Sequence, residues 1–147
     1  FDNDEAAVEK NYLVVREKKE SHLLPLVLDI TNPSSSLGWN NEERASLVAR
    51  GPADLVLALA LIHHLVISNN VSFSMIAKFF ASLCKALIIE FVPKNDSQVQ
   101  RLLKNRGDIF GFYEKKEFEK MFEHHFRISG TYQIPESTRI IYLMKRR

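Results

Sequence analysis

Two apolar runs of strand length, residues 55–62 and 86–92, constrain this chain more than any other feature, the second interrupted only by Glu90. Runs this short cannot cross a membrane as a helix, and they lack the alternation of a half-exposed strand. They read instead as strands covered on both faces, the pattern of a mostly parallel sheet flanked by helices. Residues 23–30, with Leu26, Val27 and Leu28 in succession, supply a third run ending near Asp29.

Helical spacing fills the intervals. Asp4 is a cap for a helix running to about Glu20, with Val8, Tyr12 and Val15 on the face that should pack on a sheet. Residues 42–50 read as a short helix closed by Gly51 and Pro52. Ile76, Phe79, Phe80 and Leu83 mark one helix face, Val99, Leu102 and Leu103 another behind an Asp96 or Ser97 cap, and Phe118, Met121 and Phe122 a third. The period then changes to alternation through Phe126, Ile128, Tyr132 and Ile134, and after the Pro135–Glu136 turn residues 139–144 give a last strand. The expectation is one α/β domain over residues 1–147. Its sheet is Rossmann-like and doubly wound, mostly parallel, and ends in an antiparallel strand pair.

With 46% hydrophobic residues and 26% charged, the chain has the material for a core, and a formal charge of +2 spread along the sequence argues against a nucleic-acid groove or a polybasic membrane patch. Cys84 is the sole cysteine, so no internal disulfide forms and a reducing, cytoplasmic setting is expected. It sits in an apolar helical pattern and reads as core. Phe1, directly ahead of a helix-start signal, is an unusual beginning, and a fragment of a longer protein is expected.

Ligands of doubly wound sheets bind beyond the carboxyl ends of the strands. That rule selects Asp2, Asp29, Asn32, the turn from Ala60 to His64, and Glu90. A carboxylate suits a vicinal diol because it accepts two hydrogen bonds at once; capping of a local turn is the competing role for Asp2 and Asp29. Imidazole as a group titrates near neutral pH, so His63 and His64 are candidates for a base, with His64 favoured, against the simpler role of bounding a strand end. Neither that pair nor His124 and His125 has the companions of a zinc site, so no metal is expected. Glu90 in an apolar strand needs a partner or a cleft, and the cleft is favoured. Lys94, Asp96, Ser97 and Tyr113 follow that strand and are within reach of a substrate, although Asp96 and Ser97 serve equally as caps. Phe110 and Phe112 read as core packing or the wall of an acceptor pocket.

These segments resemble a known family. The residues 1–4, the Val27-Leu28-Asp29 strand end, the stretch 54–65 and the stretch 87–94 are similar to the second through fifth strands of class I S-adenosylmethionine-dependent methyltransferases. More narrowly, the Asn-Pro-Ser stretch with Gly38-Trp39-Asn40, the segment 58–64 and Glu90-Phe91-Val92-Pro93-Lys94 resemble the bacterial methyltransferases related to nodulation proteins. The resemblance implies S-adenosylmethionine as cofactor. Asp2 would accept from its ribose hydroxyls and Asp29 would face its adenine amino group, with Asn32 and Ala60 nearby and His64 and Glu90 at the methyl-transfer site. The acceptor is unidentified. The family's first strand and glycine-rich turn have no counterpart: the five glycines, at 38, 51, 107, 111 and 130, form no G-x-G pattern. This chain alone should therefore bind cofactor weakly or not at all. The alternative is a noncatalytic Rossmann-like interaction module, and in either case homodimerisation through exposed sheet edges is expected.

Overall fold

Cys84–Phe91 forms strand β2, the most buried strand of the sheet, because it alone among the apolar runs has a strand on each side. In the computed structural model, which describes residues 1–104 and 107–147, the chain divides into two units, residues 1–47 and 48–147.

In the second unit, β1 (Ala53–Ala58) pairs in parallel with β2, setting Leu55 opposite Ala86 and Ala58 opposite Ile89. Helix α2 (Phe73–Leu83) joins them; Ser72 caps its start and Leu83 passes directly into β2. After β2 come α3 (Ser97–Leu103), α4 (Lys115–Glu123), β3 (Phe126–Gln133) and β4 (Ile140–Arg146). β4 returns antiparallel between β2 and β3, giving the order β1-β2-β4-β3 among the described residues. The register of β3 against β4 slips between Ile128 and Gly130, at the glycine that interrupts the alternation.

α2 and α4 pack together, and the core they share with the sheet is aromatic. Phe118 stands at its centre, 4.5 Å from Phe122, 5.0 Å from Phe91 and 5.1 Å from Tyr142 between ring centroids. Tyr113 stacks on Phe91 and donates its hydroxyl to the Val92 carbonyl at 2.8 Å, which satisfies its polar end inside the core. Phe110 and Tyr113 are buried, in keeping with a packing role, while Phe112 is half-exposed. Cys84 is fully buried and donates its thiol to the Phe80 carbonyl; burial raises its pKa, as suits a core thiol.

Several sequence expectations are corrected. The sheet is mixed, with one parallel and two antiparallel pairings among its described strands, where a mostly parallel sheet was expected. β1 stops at Ala58, four residues early, and lies at the edge, so Leu55 and Leu57 are 44% and 60% exposed instead of covered.

In the first unit, α1 (Glu5–Glu17) starts at Asp4, whose carboxylate accepts from the Ala6 and Ala7 amides. It ends three residues before Glu20, where Lys19 turns left-handed at φ 51°. Of the face marked by its helical spacing, Val8 is buried and Tyr12 is exposed. Residues 23–30 form no strand. Pro25 lacks an amide hydrogen, and the segment's ladder is a single parallel bridge between Asp2 and Val27. Residues 42–50 do not form the expected helix. The serine-rich loop captures their amides: Arg44 donates to the Leu37 carbonyl, Ser46 to the Ser36 hydroxyl and Leu47 to the Ser34 carbonyl. Those bonds replace the i−4 ladder and leave two short 3-10 turns, Trp39–Asn41 and Val48–Arg50.

Candidate functional site

The chain leaves β1 through a tight turn at the carboxyl end of the parallel pair, where Ala60 takes a left-handed conformation at φ 50°. An alanine held there carries steric strain that its surroundings must offset. The offset comes from β2: the Ala60 amide donates to Glu90 Oε2 at 2.7 Å, a charge-assisted bond. Directly beyond the turn, His64–Ser68 widens into a π-helical turn, a form often found at functional sites.

Glu90 does not open onto a cleft as expected. It is 6% exposed, and its other oxygen accepts from Arg139 Nη1 at 3.2 Å. Arg139, immediately before β4, also grips Asp96 with two bonds, Nε to Oδ2 at 2.7 Å and Nη2 to Oδ1 at 3.2 Å. The cluster thus ties together the ends of β2 and β4 and the start of α3, which Asp96 caps through the Gln98 amide at 2.8 Å. Arg139 holds the Asp96 carboxyl below the usual range, and its own pKa is raised in return. With both oxygens engaged, Glu90 holds the turn in place.

His63 and His64 differ sharply. His63 is 2% exposed, and its Nδ1 has no hydrogen-bond partner. Burial, seconded by the charges of His64 and Arg139, lowers its pKa to about 4, so the ring is neutral at pH 7. The His64 ring lies 4.2 Å from it, centroid to centroid, and is exposed. It borders an open groove of about 350 Å³ with Gln98, Arg101 and Leu102 of α3. Of the residues after β2, Lys94 pairs with Asp108 at 2.9 Å, and Tyr113 is committed to the core.

Asp2, Asp29 and Asn32 belong to the first unit, and Ala60, His64 and Glu90 to the second. Asp29 Oδ1 accepts both the amide and the hydroxyl of Thr31, at 2.8 and 2.7 Å, and these bonds lower its pKa. Asp2 Oδ1 accepts the Asp4 amide at 3.0 Å, while its carbonyl accepts the Leu28 amide at 2.9 Å. Both aspartates therefore do the local capping that was their competing role. Asn32 is exposed and closes the same turn by donating its amide to the Asp29 carbonyl. Sequence reasoning missed Arg139. The available signal was Glu90 itself, since a carboxylate in an apolar strand calls for a cation brought in from elsewhere in the chain.

The second unit thus defines a mixed α/β sheet with an acid–guanidinium cluster at the carboxyl end of its parallel strands. Over 125 residues, 85% of this chain, the sequence is 41% identical to the nodulation protein NoeA of Rhizobium meliloti (strain 1021). It is thereby related to a nodulation protein, and spans about a quarter of that protein's length, 26%. No protein-family model matches the chain, and no solved structure matches it. Among the described residues no helix is long and apolar enough to cross a membrane, and no group of three or more potential ligands could hold a metal.

Proposed function

We propose that these residues form the C-terminal part of a class I S-adenosylmethionine-dependent methyltransferase domain with a Rossmann-like sheet. The observation that carries this reading is the arrangement around β2: a parallel neighbour on one side, and on the other the last strand of the chain returning antiparallel. An antiparallel strand in the closing pair is what the family resemblance implies. The relation to NoeA agrees with the narrower, nodulation-related part of that resemblance.

The residues are chemically suited to such a cofactor. Asp2 and Asp29 each commit one carboxylate oxygen to a local amide, and both side chains are exposed, so the second oxygen faces solvent and can accept from a hydroxyl or amino group. In this reading Asp2 takes the ribose hydroxyls and Asp29 the adenine amino group, with Asn32 beside it. S-adenosylmethionine supplies a methyl group activated by its sulfonium. The exposed His64 imidazole would take the acceptor's proton as the methyl group is transferred. Glu90 and Arg139 fix the Ala60 turn so that His64 is presented in one orientation.

A second reading, a noncatalytic Rossmann-like interaction module, is favoured by the local capping bonds of Asp2 and Asp29. Photolabelling separates the two. A protein carrying this sequence at the length of NoeA, irradiated with methyl-tritiated S-adenosylmethionine, is expected to carry label in the peptide containing residues 58–64. Labelling that is absent, or that excess S-adenosylhomocysteine does not compete away, supports the interaction module.

A further inference from the structure

The groove beside His64 combines features found in sites for small anions. Gln98, Arg101 and Leu102 stand at i, i+3 and i+4 on α3 and so share one face of it. They offer an amide, a planar guanidinium and an apolar wall, and His64 adds an imidazole from the π-helical turn. No carboxylate is among these lining residues. The nearby acids Asp96 and Glu90 are held by Arg139.

The walls are fixed. Val99 anchors α3 in the core, the Gln100 side chain donates to the Lys94 carbonyl at 2.7 Å, and Asp96 caps the helix while clamped by Arg139. On the other side, His64 lies against the buried His63 ring. A site whose backbone is held before a ligand arrives loses less entropy on binding, although the exposed Gln98 and Arg101 side chains still have to order. A volume of about 350 Å³ lies at the small end of small-molecule sites.

We propose that this groove binds a small molecule bearing a carboxylate or phosphate beside an apolar body, with Arg101 and Gln98 taking the anion and Leu102 the apolar part. This rests on the methyltransferase reading only in casting that molecule as the methyl acceptor; the binding itself does not require it. Arg101 is then the specificity-determining residue, because a guanidinium fork matches a planar or tetrahedral oxyanion where an ammonium does not.

Benzoate and phenyl phosphate serve as probes, with benzamide as the neutral control, titrated at constant ionic strength and followed by the amide and side-chain NMR signals of His64, Gln98, Arg101 and Leu102. Saturable shifts are expected with the anions and not with benzamide, and whichever anion binds more tightly identifies the headgroup. Arg101→Ala should weaken binding about tenfold, the loss of one charge-assisted pair. Arg101→Lys should recover part of it, and Lys78→Ala, which removes an exposed cation from α2, should leave it unchanged. Equal binding of benzamide, no saturable shift, or an Arg101→Ala variant that binds normally overturns the proposal. S-adenosylhomocysteine affinity, measured separately, reports on the cofactor reading and is not expected to change with Arg101→Ala.

Discussion

At the scale of single residues, His63 and Arg139 carry the most testable chemistry. His63 has its folded-state pKa depressed to about 4 from the 6.5 of an unfolded chain. Between those values the unfolded state binds the extra proton, so stability is full above pH 6.5 and falls as the pH drops toward 4. The loss approaches roughly 3 kcal/mol across that window. Urea unfolding of wild type and His63→Gln from pH 7 to 4.5 should show a shallower pH dependence for the variant; identical slopes would remove His63 as the cause. Asp96, with its pKa lowered by Arg139, acts in the same direction but below its ordinary 3.8. Arg139→Met leaves two nearly buried carboxylates without their counter-ion, and a destabilisation of about 3 kcal/mol is expected in denaturant unfolding. The Ala60 amide resonance should shift at the same time, because the partner of Glu90, which holds that amide, is gone.

At the scale of elements, the legible segments are those whose own pattern decides them. α2 and α4 repeat aromatic and aliphatic residues at helical spacing, β3 alternates, and β2 is apolar throughout apart from Glu90. Phe118 of α4, in ring contact with Phe73 of α2, Phe91 of β2 and Tyr142 of β4, should cost about 3–5 kcal/mol as Phe118→Ala, seen as a lowered denaturation midpoint. The illegible segments are those decided by partners. Residues 42–50 have helical composition, yet Ser34 and Ser36 of the loop just upstream take their amides. Residues 23–30 look like a strand, but a strand exists only with a ladder, and theirs is one bridge. β1 is shorter than its apolar run for the same reason: Glu90, thirty residues on, holds the turn at Ala60. In the candidate site, His64 and Glu90 could be found from spacing and burial cost. Arg139 and the roles of Asp2 and Asp29 as turn caps depend on contacts that sequence order does not record.

At the scale of the whole molecule, the exposed edge of β1 is a hazard. It presents Leu55 and Leu57 along a strand with one free side among the described residues, and such edges pair with further strands. We expect concentration-dependent association of this chain in sedimentation, reduced by Leu57→Lys, which places a charge on that edge. A monomer at all concentrations would contradict this expectation. The methyltransferase proposed above has to bind its cofactor. Calorimetric titration of S-adenosylhomocysteine into this chain and into a version extended to the length of NoeA tests it most directly. Saturable binding by the longer protein, weakened by Asp29→Ala, is expected, with weak or no binding by this chain alone. No binding to either would contradict the methyltransferase assignment and leave the interaction module in its place.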